Sequence, residues 1–176
     1  KDAVERTRTP VRTDSFRLAT SDDTSIFVNH WSPDDSPRAI VLVAHGMAEH
    51  SDRYERFAQA LTASGYEVYA PDHRGHGRSD PAPDNTCTIT QIADDVAAVI
   101  RATVPVGPVV LIGHSMGGMS LMALARRHPE LFTHTGPVAG VGLVATASRG
   151  LTEAGLGEGL GNPIVDAFRL SVRRAP

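Results

Sequence analysis

A serine lies between two glycines in the pattern Gly113-x-Ser115-x-Gly117. The four apolar residues before it, Val109–Ile112, are too few for a helix, whereas small apolar residues and strong helix formers follow it. The sequence therefore predicts a strand, a sharp turn and a helix, with glycines where side chains would collide. Ser115 Oγ would then stand at a helix N-terminus, where the helix dipole favours negative charge. The amide of Met116 would point to an oxyanion formed when the serine attacks a carbonyl.

Two other polar segments come directly after apolar runs. His45-Gly46-Met47 follows Ala39–Ala44, whose unbroken apolar character is typical of a parallel strand covered on both faces. The loop 71–79 follows the strand-like run Tyr66–Ala70. Because ligands bind at the carboxyl ends of the strands in such sheets, we expect both segments to converge on Ser115.

Elsewhere the chain alternates strands with helices, after an antiparallel pair of strands. The predicted strands are short apolar runs bounded by turn residues: Ser15–Ala19, Ser25–Trp31, Ala39–Ala44, Tyr66–Ala70, Val109–Ile112 and Val141–Thr146. Capping boxes predict two helix starts, with Glu55 three residues after Asp52 and Gln91 three residues after Thr88. A third helix follows Ser115. This alternation predicts an α/β protein with a mostly parallel, doubly wound sheet.

Composition narrows the possible functions. The 176 residues carry a net charge of -3, which gives no reason to expect a nucleic-acid partner. The single cysteine, Cys87, can form neither an intrachain disulfide nor a cysteine metal cluster. No apolar run is long enough to cross a bilayer, and Lys1–Arg6 is not a signal peptide, which favours the cytoplasm. Because the sequence does not begin with Met, a removed export signal stays open as an alternative.

Several histidines near the predicted site raise the question of a metal: His45, His50, His73 and His76. No cysteine lies nearby and His45 belongs to a turn, so we expect these residues to structure loops and predict no metal and no cofactor. Asp72 is expected to organise its loop, because it precedes Ser115. Asp94 and Asp95 fall on a helix and are predicted to be solvated.

Three segments resemble the α/β-hydrolase fold and, within it, the monoacylglycerol lipase and lysophospholipase-like branch of serine hydrolases: residues 45–54, 71–79 and 113–118. The resemblance runs from Phe16 to Ala147. It implies the α/β-hydrolase architecture and a serine carboxylester hydrolase acting on a lipid-like or small acyl ester. In such enzymes the serine forms an acyl-enzyme, and water then releases the acid.

The resemblance also implies roles for individual residues. Ser115 would be the nucleophile, and the backbone amides of Met47 and Met116 would form the oxyanion hole. His45 and Gly46 would shape the loop that aims the Met47 amide. The remaining motif positions support the nucleophile turn: Gly113, His114 and Gly117.

Substrate contacts are expected from three further residues. Glu49 and Arg53 are four residues apart at the start of a helix, so they could bind a polar head such as glycerol or form a surface ion pair, and both interpretations stay open. Met119 is expected to add flexible apolar wall to the acyl site together with Met47 and Met116. A place in the core is the alternative for Met119.

The acid and base of the family are missing from their expected places. On this fold the order is serine, then Asp or Glu, then His, and both partners lie on later strands. After Ser115 the chain offers only His128, at the end of a helix, and His134, in the next connection. The sequence therefore predicts that the base and its acid lie in a C-terminal portion that this chain lacks.

The run Val141–Thr146 supports the same prediction. It is apolar on both faces and is expected inside a sheet, yet nothing strand-like follows to pair with its outer edge. We expect 1–148 to be the N-terminal part of an α/β-hydrolase core and 149–176 the start of a cap, completed by a C-terminal fragment as partner. Two alternatives are a non-catalytic half-domain that associates with another polypeptide and a serine peptidase of this fold.

A final helix is predicted from its start signals, with Asn162 as the cap and Pro163 in the first position. Apolar residues line one side of it and basic residues another: Ile164, Phe168 and Val172, and then Arg169, Arg173 and Arg174. We favour a cap helix with a solvated basic face. Peripheral contact with a membrane surface is the alternative.

Overall fold

The computed structural model describes residues 11–83, 87–104 and 107–148. Six strands in this part of the chain form one sheet: β1 (Val11–Ala19), β2 (Ser25–Pro33), β3 (Ile40–Ala44), β4 (Glu67–Pro71), β5 (Val109–His114) and β6 (Val138–Val144). Their order across the sheet is β1-β2-β4-β3-β5-β6. The β1–β2 and β2–β4 pairs are antiparallel, and the other pairs are parallel. The predicted antiparallel start and mostly parallel sheet are confirmed.

Helices cover both faces of this sheet, as predicted for a doubly wound fold. They are α1 (Glu55–Thr62), α2 (Ile89–Thr103) and α3 (Met116–Arg127). Alternate residues of β3 point to opposite faces, which separates two buried clusters. Leu42 joins the larger cluster with residues of α2 and α3, whereas Val41 and Val43 join the smaller one with Ala58 of α1.

The two predicted capping boxes have different outcomes. At α2 the prediction is confirmed, because Gln91 N–H donates to Thr88 Oγ1 at 3.2 Å and Thr88 N–H donates to Gln91 Oε1 at 2.9 Å. At α1 it is wrong. A short 3-10 turn over Ser51–Tyr54 precedes this helix, and no side chain caps the helix start at Tyr54.

The carboxylate of Asp52 is occupied elsewhere. It accepts a hydrogen bond from Asn29 Nδ2 at 2.7 Å and pairs with Arg78 of the loop after β4. These partners are distant in sequence, so the local spacing of Asp52 and Glu55 could not reveal them.

The prediction that Asp95 is solvated is also wrong. Asp95 is only 3% exposed, and its two carboxylate oxygens accept from Arg74 Nη2 at 2.6 Å and Nε at 2.7 Å. Arg74, 2% exposed, also donates to Asp22 at 2.8 Å. The loop after β4 folds onto α2 and brings this cation to the helix. Asp94 remains partly exposed and pairs with Arg127.

The last strand differs from its prediction in its bounds. β6 begins at Val138 and ends at Val144, whereas the apolar run predicts a strand from Val141 to Thr146. Within the described ranges it is the outermost strand of the sheet, paired only with β5. Its apolar side chains include three exposed ones: Val141, Leu143 and Val144. As expected from the sequence, no strand in the described ranges pairs with the outer edge of this apolar strand, and its place inside a larger sheet stays a prediction.

The predicted cap and its helix from Asn162 lie outside the described residues. In the part of the chain that the structure does describe, every helix is too short or too polar to span a membrane.

Candidate active site

Ser115 stands at the junction of β5 and α3 with φ 51° and ψ -116°, a conformation that residues other than glycine rarely adopt. Hydrogen bonds on both sides hold it there. Its N–H donates to Val144 O at 3.0 Å, and its carbonyl accepts from Thr146 Oγ1 at 2.7 Å and from Met119 N–H at 3.2 Å. Backbone strain persists where such contacts over-determine the chain, and it is common at active sites.

The two motif glycines allow close approach around this turn. A Cβ on Gly113 would lie 2.7 Å from the Cα of Gly118 in α3. A Cβ on Gly117 would lie 2.7 Å from His45 O and would overlap the carbonyl oxygen of Ala44. Any side chain here would push α3 away from the end of β3. The glycines therefore bring the turn at Ser115 and the segment after β3 into contact.

The amides of Met47 and Met116 end up at the same edge of the sheet. Ala44 of β3 and Gly113 of β5 are paired in parallel register. Met47 lies three residues after Ala44, and Met116 lies three residues after Gly113. Neither N–H donates a hydrogen bond to any residue in the described ranges. Two unpaired donors beside Ser115 are what an oxyanion hole requires.

The methionine side chains predicted to line the acyl site lie in different environments. Met116 is 3% exposed and belongs to the larger core cluster, and Met47 packs against that cluster. The expectation that Met116 forms acyl-site wall is therefore wrong, because its side chain fills the core. Met119 is half-buried and lines an open groove of about 590 Å³ between the start of α2 and α3, together with Met122 and Ala147.

His45 has its tautomer fixed by its neighbours. The N–H of His73 donates to His45 Nε2 at 2.9 Å, so the proton of the neutral ring lies on Nδ1 and is donated to Gly46 O at 2.6 Å. His73 Nε2 in turn donates to His45 O at 3.0 Å, and the two ring centroids are 4.1 Å apart. Loop structuring, as predicted, is the role that these contacts show.

The carbonyl that His45 holds belongs to the same planar peptide as the Met47 N–H. Fixing the direction of this carbonyl therefore fixes the direction of the amide proton. His45 thus acts on the proposed oxyanion donor through one peptide bond, and it does so only while its ring is neutral, with Nε2 as an acceptor.

Burial lowers the pKa of His45 to about 4 and the pKa of His73 well below its ordinary value. Both histidines take up protons on unfolding between pH 6.5 and 4, because the unfolded chain titrates near 6.5. Their contribution to stability is present above pH 6.5 and is lost as the pH falls. We expect the free energy of unfolding to drop by about 1.4 kcal/mol per pH unit for each histidine in this window.

Urea unfolding at half-unit steps from pH 7 to 4.5 measures this slope. His73→Gln is the informative variant, because it removes one of the two titrating groups and is expected to lower the slope by one proton. An unchanged slope in His73→Gln would contradict the assignment.

Glu49 and Arg53, predicted as substrate contacts, lie beside the turn at Gly46. Glu49 Oε2 accepts from Gly46 N–H at 2.9 Å and from Tyr54 Oη at 2.8 Å, and it lies 3.2 Å from His114 Nδ1. Arg53 Nε lies 3.4 Å from Glu49 Oε1. The ion-pair interpretation of these residues is thus confirmed. Contact with a substrate stays a prediction.

The two histidines that follow Ser115 are remote from it. His128 lies at the far end of α3, about 20 Å along the helix from Ser115, and bonds to Asp94 at 2.8 Å. His134 lies in the connection before β6, at the opposite end of the sheet. Across the described ranges Ser115 Oγ has no hydrogen-bond partner. Nor do the described residues contain a cluster of three groups able to hold a metal ion.

Tyr54, Thr146 and the partnership of His114 with Glu49 were missed from the sequence. His114 is 65 residues from Glu49 and 60 from Tyr54. No periodicity or spacing links residues so far apart, and the GxSxG motif identifies position 114 without its partners.

Comparison with known proteins agrees with this geometry. Residues 35–155 match the family described as serine aminopeptidase, S33. The monoacylglycerol lipase of Mycolicibacterium smegmatis is 40% identical over 102 residues, 56% of this chain and 36% of that protein. The human monoglyceride lipase is 34% identical over 119 residues, 65% of this chain and 39% of that protein. The chain thus spans about two fifths of the length of these curated relatives.

Solved structures give the same result for the fold. The esterase EaEST from Exiguobacterium antarcticum superimposes with a TM-score of 0.66 at 26% identity, covering 86% of this chain and 53% of that one. The sheet, the turn at Ser115 and the family match all lie in the same part of the chain. The chain therefore belongs to the serine aminopeptidase S33 family of α/β-hydrolases, on the branch that resembles monoacylglycerol lipases.

Proposed function

We propose that this chain carries the nucleophile and oxyanion hole of a carboxylester hydrolase. The observation that carries the proposal is the strained turn at Ser115 beside two unpaired backbone amides, those of Met47 and Met116. Ser115 Oγ attacks the ester carbonyl, the alcohol leaves, and the amides stabilise the negative oxygen of the tetrahedral intermediate. Water then hydrolyses the acyl-enzyme on Ser115.

The proposed substrate is a monoacylglycerol or a similar lipid ester. Relatives named monoacylglycerol or monoglyceride lipases support this choice. Arg53, whose side chain is 61% exposed, is available to meet a polar head group, and the apolar groove that Met119 lines could take an acyl chain. Glu49 offers only Oε1 to a ligand, because donors from the protein already occupy Oε2.

The general base is proposed to come from a part of the protein beyond the described residues. Neither His128 nor His134 can reach Ser115, and the free edge of β6 could accept further strands. A C-terminal portion of the same fold would supply both the base and its acid. This accords with the share of the relatives' length that the chain covers.

Labelling with a fluorophosphonate tests the proposal, because this reagent reacts with activated serines. We expect the protein expressed from its full gene to gain one adduct on Ser115, measured by denatured intact mass, and the Ser115→Ala variant to gain none. The isolated 176-residue chain is expected to react far more slowly, because it lacks the base. Absence of any adduct on the complete protein would favour a non-catalytic, associating domain instead.

Peptide hydrolysis is a second candidate, favoured by the family description as a serine aminopeptidase. A panel of 1-monoacylglycerols, nitrophenyl esters and aminoacyl nitroanilides separates the two. The proposal predicts higher kcat/KM for monoacylglycerols than for any anilide. The reverse order would assign the protein to the peptidases.

A further inference from the structure

One carboxylate oxygen connects three separate parts of the candidate site. Glu49 Oε2 receives Gly46 N–H from the oxyanion turn, Tyr54 O–H from the 3-10 turn before α1, and His114 Nδ1 from the residue before the nucleophile. A Cβ on Gly46 would lie 3.1 Å from this oxygen and 3.0 Å from His114 Nδ1. The network therefore packs directly against the backbone of the turn.

Glu49 acts on both peptide planes that flank Gly46. Its carboxylate holds the Gly46 N–H, which belongs to the plane shared with His45. Its own N–H contacts Gly46 O at 3.4 Å, in the plane shared with Met47. Glycine has the most freedom of any residue in φ and ψ, so a turn at Gly46 depends on such anchors for a fixed direction. Ala48, which lies in this turn between Gly46 and Glu49, has a positive φ of 57°.

The surroundings favour the charged form of Glu49. Its side chain is only 15% exposed. Burial raises the pKa of this carboxyl, but hydrogen bonds from Tyr54, Gly46 and His114 more than offset it, so the pKa lies below the usual range. Burial and the adjacent carboxylate raise the pKa of Tyr54, which keeps its hydroxyl a donor.

We infer that Glu49 is a positioning residue: its carboxylate fixes the Gly46 peptides and thereby aims the Met47 amide at the reacting carbonyl oxygen. This inference rests on the function proposed above. It differs from the head-group role, because it places the effect of Glu49 on the transition state of every ester, whatever its alcohol.

Amide hydrogen exchange, followed by NMR in the protein expressed from its full gene, tests the positioning directly. We expect Glu49→Ala to speed exchange at the Gly46 amide by about tenfold, the equivalent of one charge-assisted hydrogen bond. Tyr54→Phe, which removes one donor and keeps the carboxylate, should cause a smaller change. The matched control is Glu55→Gln, a charge removal on the exposed surface of α1, which should leave exchange at the Gly46 amide unchanged. Unchanged exchange in Glu49→Ala would overturn the inference.

Kinetics on two esters of the same acid then separate positioning from substrate binding. For a 1-monoacylglycerol and a nitrophenyl ester alike, Glu49→Ala is expected to lower kcat about 100-fold, the lower end of the loss of one oxyanion donor. KM should change little for either. Glu49→Gln keeps an acceptor for Gly46 N–H and should recover part of kcat. A raised KM for the monoacylglycerol alone would overturn positioning in favour of head-group binding.

The two proposals fail in different ways. If the unsubstituted protein hydrolyses no ester, the proposed function is wrong, and hydrogen exchange still decides whether Glu49 holds the turn. If the protein hydrolyses esters and Glu49→Ala retains full kcat, the function stands and the inference is wrong.

Discussion

Ser115→Ala is expected to lower kcat for ester hydrolysis by roughly 10⁶-fold in the complete protein, as removal of the nucleophile from a serine–histidine–aspartate triad does. Ser115→Gly should lose the same activity but differ in stability. With φ 51°, position 115 favours glycine over any residue with a Cβ. We expect Ser115→Gly to unfold with a free energy about 1 kcal/mol higher than that of Ser115→Ala, after allowing for the greater freedom of glycine in the unfolded chain.

Steady-state kinetics and urea unfolding measure the two parts of this prediction. Ser120→Ala is a suitable control, because Ser120 lies in α3 with its hydroxyl bonded to Gly117 O. In the Ser120→Ala variant, the fluorophosphonate should still label Ser115. Residual turnover in both Ser115 variants above a few parts in 10⁴ would show that another group performs the chemistry. Equal stability of the two variants would show that the turn at position 115 is not strained.

Arg74→Ala is expected to destabilise the fold by about 3–5 kcal/mol, the usual cost of leaving a buried charge without its partner. Arg74 and Asp95 are 2% and 3% exposed, and two short hydrogen bonds join them. Removing the guanidinium leaves the Asp95 carboxylate buried on α2 without its cationic partner. The loop 71–79 would lose its tie to that helix, so the effect on stability should exceed that of any single surface change. Urea unfolding at pH 7 gives the measurement.

The neighbouring pair offers a matched control. Asp94 precedes Asp95 on the same helix and pairs with Arg127, but both of these side chains are partly exposed, at 39% and 44%. Exposed ion pairs add little to stability, so Asp94→Ala should change it far less than Arg74→Ala does. The double variant Arg74→Met/Asp95→Leu should recover most of the loss, because it leaves no buried charge. Equal losses of stability in Arg74→Ala and Asp94→Ala would mean that the buried pair stabilises the fold no more than the exposed pair does.

Much of the site could be predicted because its parts are local in sequence. The pattern Gly113-x-Ser115-x-Gly117 after an apolar run specifies the turn, since strand length, glycine positions and the helix formers behind them act within a few residues. The capping box at Thr88 likewise involves partners three residues apart. The carboxyl ends of the predicted parallel strands then indicated that His45-Gly46-Met47 and 71–79 lie at the same end of the sheet as Ser115.

The sequence by itself determined the fold class and the strand-turn-helix unit at Ser115. The tertiary structure alone decided which charges are buried and which groups meet. Asp95 is buried because a loop from another part of the sheet lays Arg74 against it, and Glu49 holds Gly46 and His114 together because β3 and β5 are neighbours. Periodicity and caps report contacts within one or two turns of chain, whereas hydrogen bonds across 65 residues depend on strand order, which no local pattern encodes.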